Sequence, residues 1–136
     1  MRSIIAIIAV TTAFTVAMAG AAPPVQAQAK NGSHRTDLSK NDLSIPGWEE
    51  VQVRVDIDPG KTAPNHRHPG EEIIYVIEGT IEYKLEGMPP VRLQAGQVLF
   101  VPYGVVHSAT NVGTTNAAEL GTYVVQKGKP LVEWVK

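Results

Sequence analysis

The chain has 136 residues, enough for one domain, and a 43% hydrophobic content that supports a packed core. Its net charge of -1 gives no electrostatic footprint for nucleic acid or an anionic membrane surface. With four His and no Cys, it has no disulfide framework, thiolate metal site or thiol nucleophile, so any metal must be held by nitrogen and oxygen.

Met1-Arg2-Ser3 opens the chain with a positive charge, and an uncharged apolar run follows from Ile4 to Ala22. Pro23-Pro24 breaks it, and Ala27-Gln28-Ala29 offers a small-residue cleavage site before Lys30. This order predicts a signal peptide over residues 1–29. The alternative is an uncleaved anchor, since the run approaches the ~20 residues that span a bilayer. Its Ala and Thr content favours cleavage, with no stable membrane association afterwards. No Arg-Arg pair precedes the run, so a periplasmic or secreted protein exported unfolded is expected, with its metal acquired outside the cytoplasm.

Residues 30–44 are polar and read as a flexible arm, and residues 45–136 read as the folded domain. Val51 to Ile57 alternates apolar and polar, the pattern of a half-buried strand. Ile73 to Ile77 is apolar on both faces, so both faces need cover. Ile81 to Leu85 alternates again, and Val91 to Leu93, Val98 to Val101, Ala118 to Gln126 and the tail from Leu131 to Val135 follow. Short strands punctuated by Gly and Pro, with no helix-period stretch, predict an all-β sandwich or barrel.

Three of the four His lie in two short stretches. His66 and His68 are two apart, and on an extended segment they project to one face. Glu72 enters the next strand with a carboxylate that can reach the same point. His107 can come from a facing strand. Three imidazoles and a carboxylate suit Mn, Fe, Co, Ni or Zn as divalent ions.

The spacing G-x5-H-x-H-x3-E-x6-G fits Gly60, His66, His68, Glu72 and Gly79. The spacing G-x5-P-x-G-x2-H-x3-N fits Gly96, Pro102, Gly104, His107 and Asn111. In these two motifs the chain resembles a small single-domain bacterial cupin, over about Val51 to Gln126. The resemblance implies a double-stranded β-helix (jelly-roll) barrel. It implies one divalent transition metal, manganese or iron foremost, with His66, His68, Glu72 and His107 as its ligands. Zinc, nickel, cobalt or copper are the alternatives. It also implies chemistry of the quercetinase-like or oxalate-decarboxylase-like kind.

Glu71 is one residue off the parity of the ligands and is expected to face outward. Tyr103, in the turn before His107, is the candidate catalytic side chain; Tyr75, Tyr83 and Tyr123 read as core or interface aromatics. Arg54 is expected to point outward, and Trp48 and Trp134 to plug the ends of the domain. His34 reads as a bland surface residue. A cavity lined by inward Val, Ile, Leu and Phe favours a fairly apolar small organic molecule. The outer face of Ile73, Tyr75 and Ile77 favours a homodimer. The function expected is an exported mononuclear-metal oxidoreductase of dioxygenase type, or a decarboxylase or lyase. The alternative is a non-catalytic binding protein whose metal anchors a small molecule.

Overall fold

The computed structural model describes residues 27–136, so the expected signal segment lies outside the described residues except for Ala27–Ala29. The described strands are β1 (Ala27–Lys30), β2 (Ser33–Asp42), β3 (Trp48–Ile57), β4 (Thr62–Arg67), β5 (Gly70–Glu78) and β6 (Thr80–Leu85). They continue as β7 (Val91–Gln94), β8 (Val98–Val101), β9 (His107–Asn111), β10 (Ala117–Gln126) and β11 (Glu133–Trp134). A six-stranded sheet in the order β1-β2-β3-β10-β5-β8 faces a five-stranded sheet in the order β11-β4-β9-β6-β7. Every pairing is antiparallel. The result is the expected jelly-roll barrel. No described helix is long and apolar enough to cross a membrane.

Alternation decides which side chains fill it. Ile57, Ile74, Val76, Ile81, Leu85 and Val101 point between the sheets and are buried with Tyr83. Each fully buried Val or Ile contributes about 1.5–3 kcal/mol over an exposed one. The intervening residues of β5, Ile73, Tyr75 and Ile77, are exposed, as are Val98 and Phe100 on β8. In register, Ile73 lies opposite Phe100 and Tyr75 opposite Val98, so these side chains form one apolar strip.

Asn111, the last residue of the second motif, has a structural role. Its fully buried amide donates to the carbonyls of Ile57 (2.8 Å) and Thr115 (2.7 Å) and accepts from the Gly113 N–H (2.9 Å). The end of β3 is thereby pinned to the turn that follows β9.

The flexible arm expected over residues 30–44 is instead mostly strand. Asn31 (φ 54°) and Gly32 (φ 79°) form a two-residue turn, and Lys30 pairs with Ser33 across it. Both central residues take positive φ, the geometry that Asn-Gly favours in a hairpin. From there β2 runs along β3 from the Ser33–Ile57 pair to the Asp42–Glu49 pair, with a bulge between Asp37 and Ser39. Polar residues build this strand because the edge of β3 supplies its hydrogen bonds; no apolar alternation announces it. The expected cleavage before Lys30 falls inside β1.

Candidate metal centre

β4 and β9 bring two of the four candidate ligands face to face, since His66 sits opposite His107 in their register. His68 follows two residues after His66, just before the bend into β5, and β5 carries Glu72 inward. The ring centroids of His66 lie 4.9 Å from His68 and 4.3 Å from His107, and those of His68 and His107 are 5.1 Å apart. One nitrogen from each ring lies within 4.8 Å of the others, so the three can hold a metal ion. Glu72 Oε2 is 3.2 Å from His68 Nε2 and 3.1 Å from His107 Nε2.

Each ring is oriented by a backbone carbonyl. His66 Nδ1–H donates to Pro64 O (2.6 Å), His68 Nδ1–H to Leu131 O (2.7 Å) and His107 Nδ1–H to Val105 O (3.0 Å). A carbonyl only accepts, so Nδ1 carries a proton, and a ring in its neutral form presents a bare Nε2 inward. His68 Nε2 and Glu72 Oε2 are buried without a hydrogen-bond partner among the described residues, although they are near neighbours. Such orphaned atoms are costly. A divalent ion at their convergence would satisfy them, so the donor set fits a metal.

Electrostatics agree with that reading. Burial pushes the Glu72 carboxyl up, but the adjacent His107 and His68 rings outweigh it and hold it well below its ordinary range. Burial together with the neighbouring His107 holds His66 down to about 4, so it is neutral and ligand-competent near pH 7. For His107, burial lowers the pKa, yet the adjacent Glu72 carboxylate leaves it raised.

Gly121 on β10 explains how Glu72 is seated. A Cβ there would lie 2.7 Å from Tyr123 Oη and 2.9 Å from Glu72 Oε1, too close for either. Only glycine admits both groups at that spot. The Tyr123 ring in turn packs edge-on against His68, with centroids 4.6 Å apart.

A cavity of about 460 Å³ lies over the histidines. Its floor is His66, His68 and His107, and Tyr83, Glu119 and Tyr123 form one wall. Its mouth is built from the two ends of the described chain: Lys30 and Arg35 on one side, Leu131 and Trp134 on the other. Lys30 Nζ lies 3.6 Å from the Trp134 ring centroid, a cation–π contact across the opening. Arg35 is held by Asp37 at 2.6 Å.

The structure thus brings together His66, His68, Glu72 and His107. Glu71 sits on the opposite parity, half-buried. Arg54 points outward as expected, in ion pairs with Asp56 and Glu78. Tyr103, expected as the catalytic side chain, is 47% exposed and is not among the residues lining the cavity. Its turn precedes β9, but Tyr103 leaves the turn toward solvent while His107, at the strand's start, is buried. Tyr83 and Tyr123 occupy the wall instead. Trp134 is part of the mouth rather than a plug, and Phe100 faces outward, so the expected apolar lining is replaced by a mixed one. Glu119 was missed. Its signal was available: it shares the inward parity of Ala117, Gly121, Tyr123 and Val125, where a carboxyl is out of place.

Comparison with known proteins places the barrel. Residues 53–126 match the cupin domain family. The chain is 44% identical over 45 residues to the dimethylsulfoniopropionate lyase DddQ of Ruegeria pomeroyi, covering 33% of this chain and 22% of that protein. It is 35% identical over 99 residues to the oxalate oxidase GF-3.8 of Triticum aestivum, covering 65% of this chain and 43% of that one. An oxalate oxidase structure superposes with a TM-score of 0.64 at 29% identity, covering 79% of this chain and 57% of that chain. The chain spans less than half the length of these two curated relatives.

Proposed function

The chain belongs to the cupin domain family, and from that premise we propose that it is an exported metal-dependent enzyme, an oxidoreductase of dioxygenase type or a decarboxylase or lyase, acting on a small carboxylate. The observation that carries this reading is the convergence of His66, His68, His107 and Glu72 with their orphaned donor atoms. One divalent ion per chain, manganese or iron, would supply Lewis-acid and redox chemistry there. The likeness to an oxalate oxidase and a dimethylsulfoniopropionate lyase supports both reaction types without choosing between them.

The chain's own residues favour an anion. Arg35 and Lys30 stand at the mouth, and Arg35 keeps N–H donors beyond those given to Asp37, which a carboxylate can engage in a planar fork. Trp134 and Leu131 supply the apolar surface against which the rest of a small molecule packs. The ring of Trp134 lies 5.4 Å from that of His66, so the mouth opens directly onto the histidines.

Metal content of protein purified from its native exported fraction, with His107→Ala as control, is the first test. About one manganese or iron per chain, lost in the variant, is expected. Dioxygen uptake and product formation are then measured with the metal-loaded protein against a panel of small mono- and dicarboxylates. Turnover supports the enzyme; carboxylates bound but recovered unchanged make it a metal-anchored binding protein instead. No metal at all would sink both.

Export and a homodimer complete the reading. The charge, apolar run and A-x-A order support export, and amino-terminal sequencing of the exported protein tests it. The exposed strip of Ile73, Tyr75, Ile77, Val98 and Phe100 supports a second copy laid sheet against sheet. A monomeric mass by sedimentation equilibrium at micromolar concentration would reject the dimer.

A further inference from the structure

Beside the metal ligands, the cavity wall contains a second carboxyl that takes no part in the donor set. Glu119 is 6% exposed, Tyr83 is fully buried, and Tyr83 Oη donates a hydrogen bond to Glu119 Oε2. The Tyr83 hydroxyl has no other partner among the described residues, so its proton is committed to that bond. The other carboxyl oxygen, Oε1, makes no hydrogen bond with the described protein. It is also absent from the atoms sealed away without a partner, so it opens on the cavity.

We propose that Glu119 and Tyr83 are the acid–base pair of this cavity, with Glu119 presenting a proton from Oε1 to a bound ligand while Tyr83 holds Oε2. The proposal rests on the metal-centre reading only in taking the ligand to lie over the histidines. Because Oε2 is an acceptor from Tyr83, the acid proton belongs on Oε1, the oxygen that faces the ligand. On transfer, the Glu119 O–H bond breaks and an O–H or C–H bond forms on a ligand atom that has gained electron density. The carboxylate left behind keeps the Tyr83 bond, and in the reverse direction it takes the proton back.

The surroundings favour a held proton. Glu119 faces Tyr83 from β6, Glu72 from β5, His107 from β9 and Tyr123 on its own strand, with Arg35 of β2 in the same cavity. Burial pushes its pKa up to about 8, and the Glu72 charge pushes the same way, against the Tyr83 bond and His107. Burial and the adjacent Glu119 also raise Tyr83 far above the ordinary phenol range, so the tyrosine stays a donor. Two carboxyls in one cavity thus divide the work: Glu72 is kept ionised and Glu119 is kept neutral.

Infrared difference spectroscopy tests the pair, on zinc-loaded full-length protein with glycolate as the probe. The wild type is expected to show the carbonyl stretch of a protonated carboxyl at pH 7, absent in Glu119→Gln. The band should shift when glycolate binds, as its hydrogen-bond partner changes. Tyr83→Phe removes a bond that lowers the Glu119 pKa, so it should move the midpoint of the band's loss to higher pH. A merely structural contact predicts no shift of the band with glycolate. No band at pH 7, or a band unmoved by bound glycolate, overturns the proposal. Zinc stoichiometry is measured on the same samples: one zinc per chain with no Glu119 band defeats this inference alone, whereas no zinc defeats the metal centre.

Discussion

The floor and the mouth of the cavity are built on different principles. The floor histidines His66, His68 and His107, with Glu72 beside them, lie within residues 53–126, and each histidine is locked by a bond to a backbone carbonyl. The mouth comes from outside that stretch, from β1, β2 and the tail, and it is held by contacts between side chains. One region is set by strand register and tolerates little change. The other is fastened by cation–π and surface ion-pair contacts, each worth about 1 kcal/mol or less where exposed. Under the proposed function, metal binding falls to the barrel and ligand choice to its flanks. One strut joins them, the bond from His68 Nδ1 to Leu131 O, so the tail also orients a ligand.

The largest effect is expected from the floor. His66→Ala or His107→Ala should abolish stoichiometric zinc binding, a loss beyond the about 10–100-fold typical of an outer partner. Calorimetry with the purified variants checks this, and their strand content by circular dichroism should match the wild type. If either variant still binds zinc tightly, the floor is not a metal centre.

Gly121→Ala comes next, because its Cβ would press on Glu72 and Tyr123 at once. We expect about 1–3 kcal/mol of destabilisation from overpacking. Zinc affinity should fall by about 10–100-fold, as for lost orientation of a ligand. An unchanged affinity would show that Glu72 is not a ligand.

The metal-free cavity should also titrate from both sides. Burial and His107 hold folded His66 down to about 4, below its ordinary 6.5. Its contribution is therefore full above pH 6.5 and lost as pH falls through 4. Glu119 is raised to about 8 from an ordinary 4.5, so the folded chain binds the extra proton. That contribution is full below pH 4.5 and lost as pH rises through 8. Thermal melting against pH should show both limbs, and Glu119→Gln should flatten only the alkaline one.

The smallest effects belong to the mouth. Arg35→Gln should weaken binding of a small carboxylate by about tenfold, the scale of one charge-assisted hydrogen bond, with one zinc per chain retained. Lys30→Gln should change it less, since its cation–π contact with Trp134 is exposed. Binding followed by Trp134 fluorescence would settle the order. Equal loss of zinc and carboxylate in Arg35→Gln would erase the distinction between the two regions.

Much of this was legible beforehand because it is local. Gly60 to Gly79 and Gly96 to Asn111 carry the barrel's turns and its inward donors at fixed spacing, and strand parity alone separates Glu72 from Glu71. Tyr103 misled because nearness in sequence to His107 says nothing about which side of the turn a side chain leaves. Glu119 went unread because its neighbours make Ala118 to Gln126 look like an ordinary buried strand, and a lone inward carboxyl has meaning only opposite Tyr83. The arm was misread for a related reason: β2 turns Ser33 and Arg35 toward the cavity, so its pattern is polar and only the edge of β3 makes it a strand.

By itself, then, the sequence determined the all-β barrel and the inward parity of His66, His68 and Glu72, since alternation and turn chemistry act within a few residues. Tertiary structure alone decided the rest: that His66 and His107 meet across β4 and β9, that Tyr83 reaches Glu119 from another strand, and that both chain ends close over the floor. Those relations join residues tens of positions apart, and long-range packing, not local preference, sets them.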